Sequence, residues 1–342
     1  MSLEERHRRR LLARGLALLS LIGLLAGLLI GSEGASFSAL QALFDDGSAG
    51  LVLGQIRLPR TLGAWLTGAL FGLAGAIAQG LFRNPLADPY LLGSAAGASL
   101  GVVLVLTAGS AVLGGGAAGW LARFGLVGAA FCGALLGVSL TLMLARGATH
   151  TTRLLLAGVV VGVVLGAFND LLTTLDPDAL RGKQAFLLGT TGFLGWPSCL
   201  LLLLALLAAL PLAWRLARVL DALSLGEDSA TSLGLSLPRL RLVMVALMAL
   251  ATGTAVAQAG MVAFVGLVAP HLVRRFVQAT HGYCLVASAA MGGVLLMGAD
   301  VLSRWLIAPQ ELPVGVLTAV LGGGYLLWLM QRNTRVSRGG GL

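Results

Sequence analysis

The chain reads as long apolar runs broken by short polar punctuation. Ten runs approach the length a bilayer requires, about 20 residues each. They occupy 11–31, 60–81, 92–108, 118–145, 154–173, 196–217, 239–258, 261–278, 284–304 and 313–331. Backbone groups in lipid must be hydrogen-bonded within the chain, so the pattern predicts an all-α integral membrane protein of ten transmembrane helices. Composition strengthens this: 57% of residues are hydrophobic, 11% are charged, and mean hydropathy is +0.93. The 49 glycines permit close helix approach, which is how helices hold together when lipid removes the hydrophobic driving force. No composition break divides the chain, so one membrane domain, 1–342, is expected.

An even number of spans puts both termini on one side. The basic ends, Arg6, Arg8, Arg9 and Arg10 at the front and Arg332, Arg335 and Arg338 at the back, mark that side as cytoplasmic. Seventeen of the 23 Lys and Arg residues then lie inside; Arg57, Arg60, Arg123, Arg181, Lys183 and Arg304 lie outside. The net charge of +9 thus reports topology rather than nucleic-acid binding. A basic start precedes the first apolar run, but no A-x-A cleavage site follows, and Leu11 to Ile30 is kept as a span. Leu58-Pro59-Arg60 and Ala76-Ile77-Ala78-Gln79 recur 179 residues later as Leu237-Pro238-Arg239 and Ala255-Val256-Ala257-Gln258. A shift of five spans would make spans 2–5 and 7–10 an inverted repeat, a common transporter plan.

A polar island, 218–241, falls in the cytoplasm. Ser224-Leu225-Gly226-Glu227 has capping-box spacing, Glu227 and Asp228 suit a first helical turn, and Gly234 suits a C-terminal stop. A short helix from Leu225 to Leu233 is predicted, with Leu225, Ala230 and Leu233 as an apolar stripe. It is too short to span and marginal alone, so it needs a surface to lie against; a solvated loop is the plain alternative. Elsewhere, Asn84 and Leu86 sit where Pro85 and Pro89 forbid a continuous helix, and Thr151 and Thr152 sit at a second cytoplasmic turn. Arg57, Arg60 and Arg304 cluster outside, as snorkelling anchors or as a docking surface for carboxylates. Asp300, one turn before Arg304, reads as half of a structural ion pair more than as a proton-coupling acid.

Catalytic chemistry finds no footing. His7, His150, His271 and His281 are scattered, and no zincin, C-x-x-C, nucleophile-elbow or Walker A pattern occurs. Cys132, Cys199 and Cys284 lie in or beside apolar runs and read as packing residues, with no metal site. An ion-coupled secondary transporter or channel would need paired intramembrane acids or a pore ring, which the sequence lacks.

Several motifs do carry a resemblance. Arg57-Leu58-Pro59-Arg60, the run from Gly80 through Arg83-Asn84-Pro85-Leu86-Ala87-Asp88-Pro89-Tyr90 to Gly93, and Arg153 to Gly158 resemble FecCD-type permeases. So do Leu225-Gly226-Glu227 with Leu233-Gly234, Phe264 to His271, and Glu311-Leu312-Pro313-Val314-Gly315, all in the family's order. Ala263 and Thr280-His281-Gly282-Tyr283 depart from it. The resemblance implies the membrane subunit of an ABC importer for haem, iron siderophores or cobalamin, in that order of expectation, in the bacterial inner membrane. It implies a homodimer with the pathway at its interface, two cytoplasmic ATPase subunits and a periplasmic binding protein. ATP and Mg would sit in the ATPase, with no cofactor on this chain. Residue by residue, it makes Asn84, Leu86, Thr151 and Thr152 gate positions and Arg57, Arg60 and Arg304 receivers of the binding protein's acids. Leu225, Gly226, Glu227, Asp228, Ala230, Leu233 and Gly234 become the ATPase-coupling segment.

Overall fold

The computed structural model describes residues 3–31, 34–35, 48–112, 119–145, 151–226, 230, 232 and 236–339. Apart from a two-residue antiparallel bridge, β1 (Ile30–Gly31) with β2 (Gly34–Ala35), its regular structure is helical. In order the helices are α1 (Leu3–Leu29), α2 (Leu58–Leu81), α3 (Ser94–Val112), α4 (Gly119–Leu144), α5 (Thr151–Leu175) and α6 (Pro177–Leu188). They continue as α7 (Trp196–Arg215), α8 (Ala217–Ser224), α9 (Leu237–Ala259), α10 (Val265–Phe276), α11 (His281–Trp305) and α12 (Val314–Gly339). A short turn, Ser48–Val52, and a π-helical turn, Leu53–Arg57, run without a break into α2.

Among the described residues seven helices are long and apolar enough to cross a membrane, and 94–108 and 314–329 form two shorter apolar helices. The remaining expected span, 261–278, is corrected. Only Val265–Phe276 is helical, 12 residues, or about 18 Å at 1.5 Å per residue. Gly260, at φ 69°, stops α9, and Phe264, at φ 66°, delays the next helix, so the stretch between them is irregular. The 12-residue α6, with proline in its first turn, fills a connection that the apolar pattern leaves blank, because Arg181, Lys183 and Gln184 interrupt its apolar positions.

Helix α2 is the axis of the molecule. Almost every residue from Pro59 to Leu81 is buried, and α1, α7, α9, α10 and α11 all pack on it. Spacing explains the close approach: Gly68, Gly72 and Gly75 fall on one face. A Cβ on each would strike the backbone carbonyl of Gly292, Ser288 and Gly266 respectively. Gly97 of α3 and Gly133 of α4 oppose each other in the same way. By contrast α5 turns Leu156, Val159, Val163, Phe168 and Leu171 outward. In a bilayer such a face is covered by lipid or by another protein surface.

Candidate functional site

The N-terminal end of α2 and the C-terminal end of α11 meet in a charge cluster. Arg60 reaches Asp300 Oδ1 from Nε at 3.0 Å and Glu311 Oε1 from Nη1 at 2.9 Å. Its Nη2 lies 3.0 Å from Asp300 Oδ1 and 2.9 Å from Glu311 Oε2. Arg304 gives Asp300 Oδ2 a 2.7 Å bond, and its Nη1 donates to the carbonyls of Gly27 at 3.0 Å and Ile30 at 2.9 Å. Thr191 Oγ1 donates to Asp300 Oδ1 at 2.6 Å. The expected Asp300–Arg304 pair is therefore present, in a larger network of two guanidiniums and two carboxylates.

The sequence groups Arg304 with Arg57 and Arg60 and pairs it with Asp300; in the structure its side chain is 1% exposed. The reason is Asp300, which has no exposure and would be a costly buried charge without close counter-charges and donors. Arg57, half-buried, donates to the Leu28 carbonyl at 2.9 Å. A cleft of about 240 Å³ beside the cluster is lined by Arg60, Thr190, Thr191, Phe193, Glu311 and Pro313. Thr191 has no signal in the sequence, since its partner lies 109 residues away.

At the opposite end of α2, Arg83 enters the left-handed region at φ 50° and the chain turns. Asn84 Oδ1 accepts from Leu86 N at 2.9 Å, fixing an Asx turn that leaves both side chains exposed. Asp88 then caps a short 3₁₀ turn, Pro89–Leu92, by accepting from Tyr90 N at 2.8 Å. That turn is anchored. Tyr90 Oη donates to the Val262 carbonyl at 3.2 Å, Thr141 Oγ1 donates to the Leu92 carbonyl at 2.9 Å, and Gly158 of α5 lies against the Leu91 carbonyl. Thr151 and Thr152 open α5, so both segments expected to form the gate are tied to one 3₁₀ turn. Thr152 is exposed. The Tyr90–Val262 bond joins this 3₁₀ turn to an irregular stretch 172 residues away, which local pattern could not reveal.

The coupling segment begins differently from its expected form. Ser224 ends α8, and its hydroxyl donates back to the Asp221 carbonyl at 2.6 Å instead of capping a new helix. Leu225 is the C-cap of α8, and Gly226 follows at φ 115°. Helix resumes beyond: Ala230 N donates to the Gly226 carbonyl at 3.1 Å, and residues 230 and 232 are helical. Leu225 is 72% exposed whereas Ala230 is fully buried, so the two do not share one face. Glu227, Asp228, Leu233 and Gly234 lie outside the described residues.

Comparison with known proteins decides the class. The FecCD transport family matches residues 18–332. The chain belongs to that family. The haemin transport permease HmuU of Yersinia pestis is 39% identical over 282 residues, 81% of this chain and 82% of the relative. The vitamin B12 import permease BtuC of Klebsiella pneumoniae is 39% identical over 339 residues, 97% and 96% respectively. A solved, inward-facing transporter described as of the metal-chelate ABC type superposes with TM-score 0.83 at 27% identity, covering 94% of this chain and 99% of that one.

As a FecCD permease the chain is a multi-pass integral membrane protein and a translocation subunit, without catalysis of its own. ATP belongs to the partner ATPase and no cofactor to this subunit.

Proposed function

We propose that this permease is the membrane subunit of an ATP-driven importer that carries a metal tetrapyrrole, haem or a corrinoid, across the bacterial inner membrane. The observation that carries the reading is the pair of 39% relatives, one a haemin and the other a B12 permease, matched over most of their lengths. Equal identity sets cobalamin level with haem, so the order haem, siderophore, cobalamin gives way to the tetrapyrrole class. The working unit in this reading is a homodimer with two ATPases inside and a binding protein outside, with both termini cytoplasmic. Ten crossings follow if α3, α10 and α12 each count as one. The halves from α2 and from α9 are then inverted repeats. In support, α2 packs on α11 while their counterparts α9 and α4 pack together, and Pro59 and Pro238 hold the same place in α2 and α9.

Three surfaces divide the work. Arg57 and the exposed edge of the Arg60–Glu311 pair receive acidic residues of the binding protein, with Arg304 bracing Asp300 behind them. Asn84, Leu86, Thr151 and Thr152 line the cytoplasmic gate. Leu225, Gly226, Glu227, Asp228, Ala230, Leu233 and Gly234 engage the ATPase, for which exposed Leu225 is suited. Haem, cobalamin and a ferric siderophore, each loaded on the cognate binding protein, are the test set. Stimulation of ATP hydrolysis in the reconstituted complex by a tetrapyrrole and not by the siderophore is expected; the reverse would overturn the substrate class.

A further inference from the structure

Helix α8 is eight residues long and ends where the coupling segment starts. Its inward face carries Val219, Leu220, Ala222 and Leu223 into the core, and it touches both α2 and α11. Between the apolar positions Asp221 points at the start of α11. One oxygen, Oδ1, accepts the His281 backbone N–H at 3.0 Å and lies 2.7 Å from His281 Nδ1. A ring nitrogen that close to a carboxylate oxygen is its donor.

This arrangement serves a need of α11. The first N–H groups of a helix lack intrahelical partners and carry the positive end of its dipole. The N-cap residue, Thr280, makes no side-chain capping bond. Asp221 supplies the acceptor and the negative charge from a different helix, 60 residues earlier in sequence. The far side of the same ring meets α2: a Cβ on Gly80 would lie 3.1 Å from His281 Cδ2 and 3.1 Å from Leu220 Cδ1. Three residues beyond Gly80 the backbone turns at Arg83 into the Asn84–Leu86 segment. Helix α11, 25 residues long, runs from this joint at His281 to Trp305 and carries Asp300 and Arg304 near its far end, in the charge cluster.

We infer that the Asp221–His281 pair is the joint through which movement of the coupling segment is passed to the ends of α2 and α11, and so to the cytoplasmic gate. Such transmission needs an element that both sites bias, and a short helix clamped on two long ones is that element. Hydrophobic contact alone lets α8 slide; a doubly bonded carboxylate fixes the register between α8 and α11. Asp221 and His281 are positioning residues in this account, acting through α8 and α2 and touching neither substrate nor nucleotide.

The inference rests on the importer reading, and its test separates the two. Leu86→Cys in a Cys132→Ser background gives one spin-label site per protomer, since Cys199 and Cys284 are buried. Label-to-label distances would be measured in the reconstituted permease–ATPase complex with and without a non-hydrolysed ATP analogue, which needs no transported ligand. The unsubstituted joint should show a nucleotide-dependent shift; its absence would overturn the importer reading and the inference together. Asp221→Ala and His281→Ala should keep ATPase binding within about twofold yet lose most of that shift. The double variant should be no worse than either single one, as expected for two halves of one interaction. His281→Asn, which keeps a side-chain donor, should restore a large part. A full shift in both alanine variants would overturn the joint. So would loss of ATPase binding in His281→Ala, because the pair would then build the docking surface and not transmit from it.

Discussion

Arg304 and Asp300, one turn apart on α11, are joined by a 2.7 Å bond in a site where neither has appreciable contact with solvent. Removing one partner of a buried pair typically costs about 3–5 kcal/mol when the other charge is left uncompensated; Arg60 and Thr191 still hold Asp300, which sets the low end of that range here. Arg304→Met should therefore lower the permease's stability by about 3 kcal/mol in detergent or nanodiscs. Glu311→Gln, at the cluster's more exposed rim, should cost about 1 kcal/mol or less. Thermal unfolding of the two variants compares them directly; equal losses would mean that Asp300 is satisfied without Arg304.

Close packing of α2 gives a second prediction. Gly75→Ala would place a Cβ against the Gly266 carbonyl, and backbone cannot rotate aside, so α2 and α10 must part. Overpacking of this kind costs about 1–3 kcal/mol. Gly298→Ala, where an added Cβ meets nothing within 4 Å, should be neutral or stabilising by up to about 1 kcal/mol through helix propensity. Yield and melting temperature in detergent would rank the pair. The opposite ranking would refute the contact.

In the proposed docking surface Arg57→Glu should weaken binding-protein association about tenfold or more at low salt. Raised salt should weaken the unaltered complex and narrow the difference, since charges at a rim are screened and act mainly on association rate. Surface plasmon resonance at two ionic strengths measures both effects. Salt-independent binding, unaffected by the reversal, would reduce Arg57 to a membrane-end anchor.

The gate prediction uses Thr152. Cysteine there, with Cys132 replaced, should cross-link to its counterpart in the dimer in one nucleotide state and at least several-fold less in the other. Small helix shifts between two packed arrangements are enough to open and close such a pair. Uptake should stop while the link holds and return on reduction. Cross-linking insensitive to nucleotide would place the gate elsewhere.

The helical class and most of its elements were legible because lipid imposes one demand, internal backbone bonding over a fixed thickness, and apolar runs report it directly. The Asp300–Arg304 pair was legible because i,i+4 spacing on a helix is local. What pattern missed depends on distance in sequence. Burial of Arg304 follows from the carbonyls of Gly27 and Ile30, and α11 is capped by a carboxylate from α8. The capping box at Ser224 failed because α8 already uses that residue as its own last turn. Hydropathy over 261–278 overran the helix because Gly260 and Phe264 turn the backbone without making the sequence polar.

ATP-dependent uptake into proteoliposomes tests the central claim most directly. The permease, reconstituted with its ATPase and with tetrapyrrole-loaded binding protein outside, should accumulate haem or cobalamin in the lumen when ATP is enclosed on the ATPase side. Leu225→Asp, which puts a charge on the exposed end of α8, should lower accumulation about tenfold by weakening ATPase contact. Accumulation of neither tetrapyrrole with all three components present, or accumulation that proceeds equally without ATP, would contradict the account.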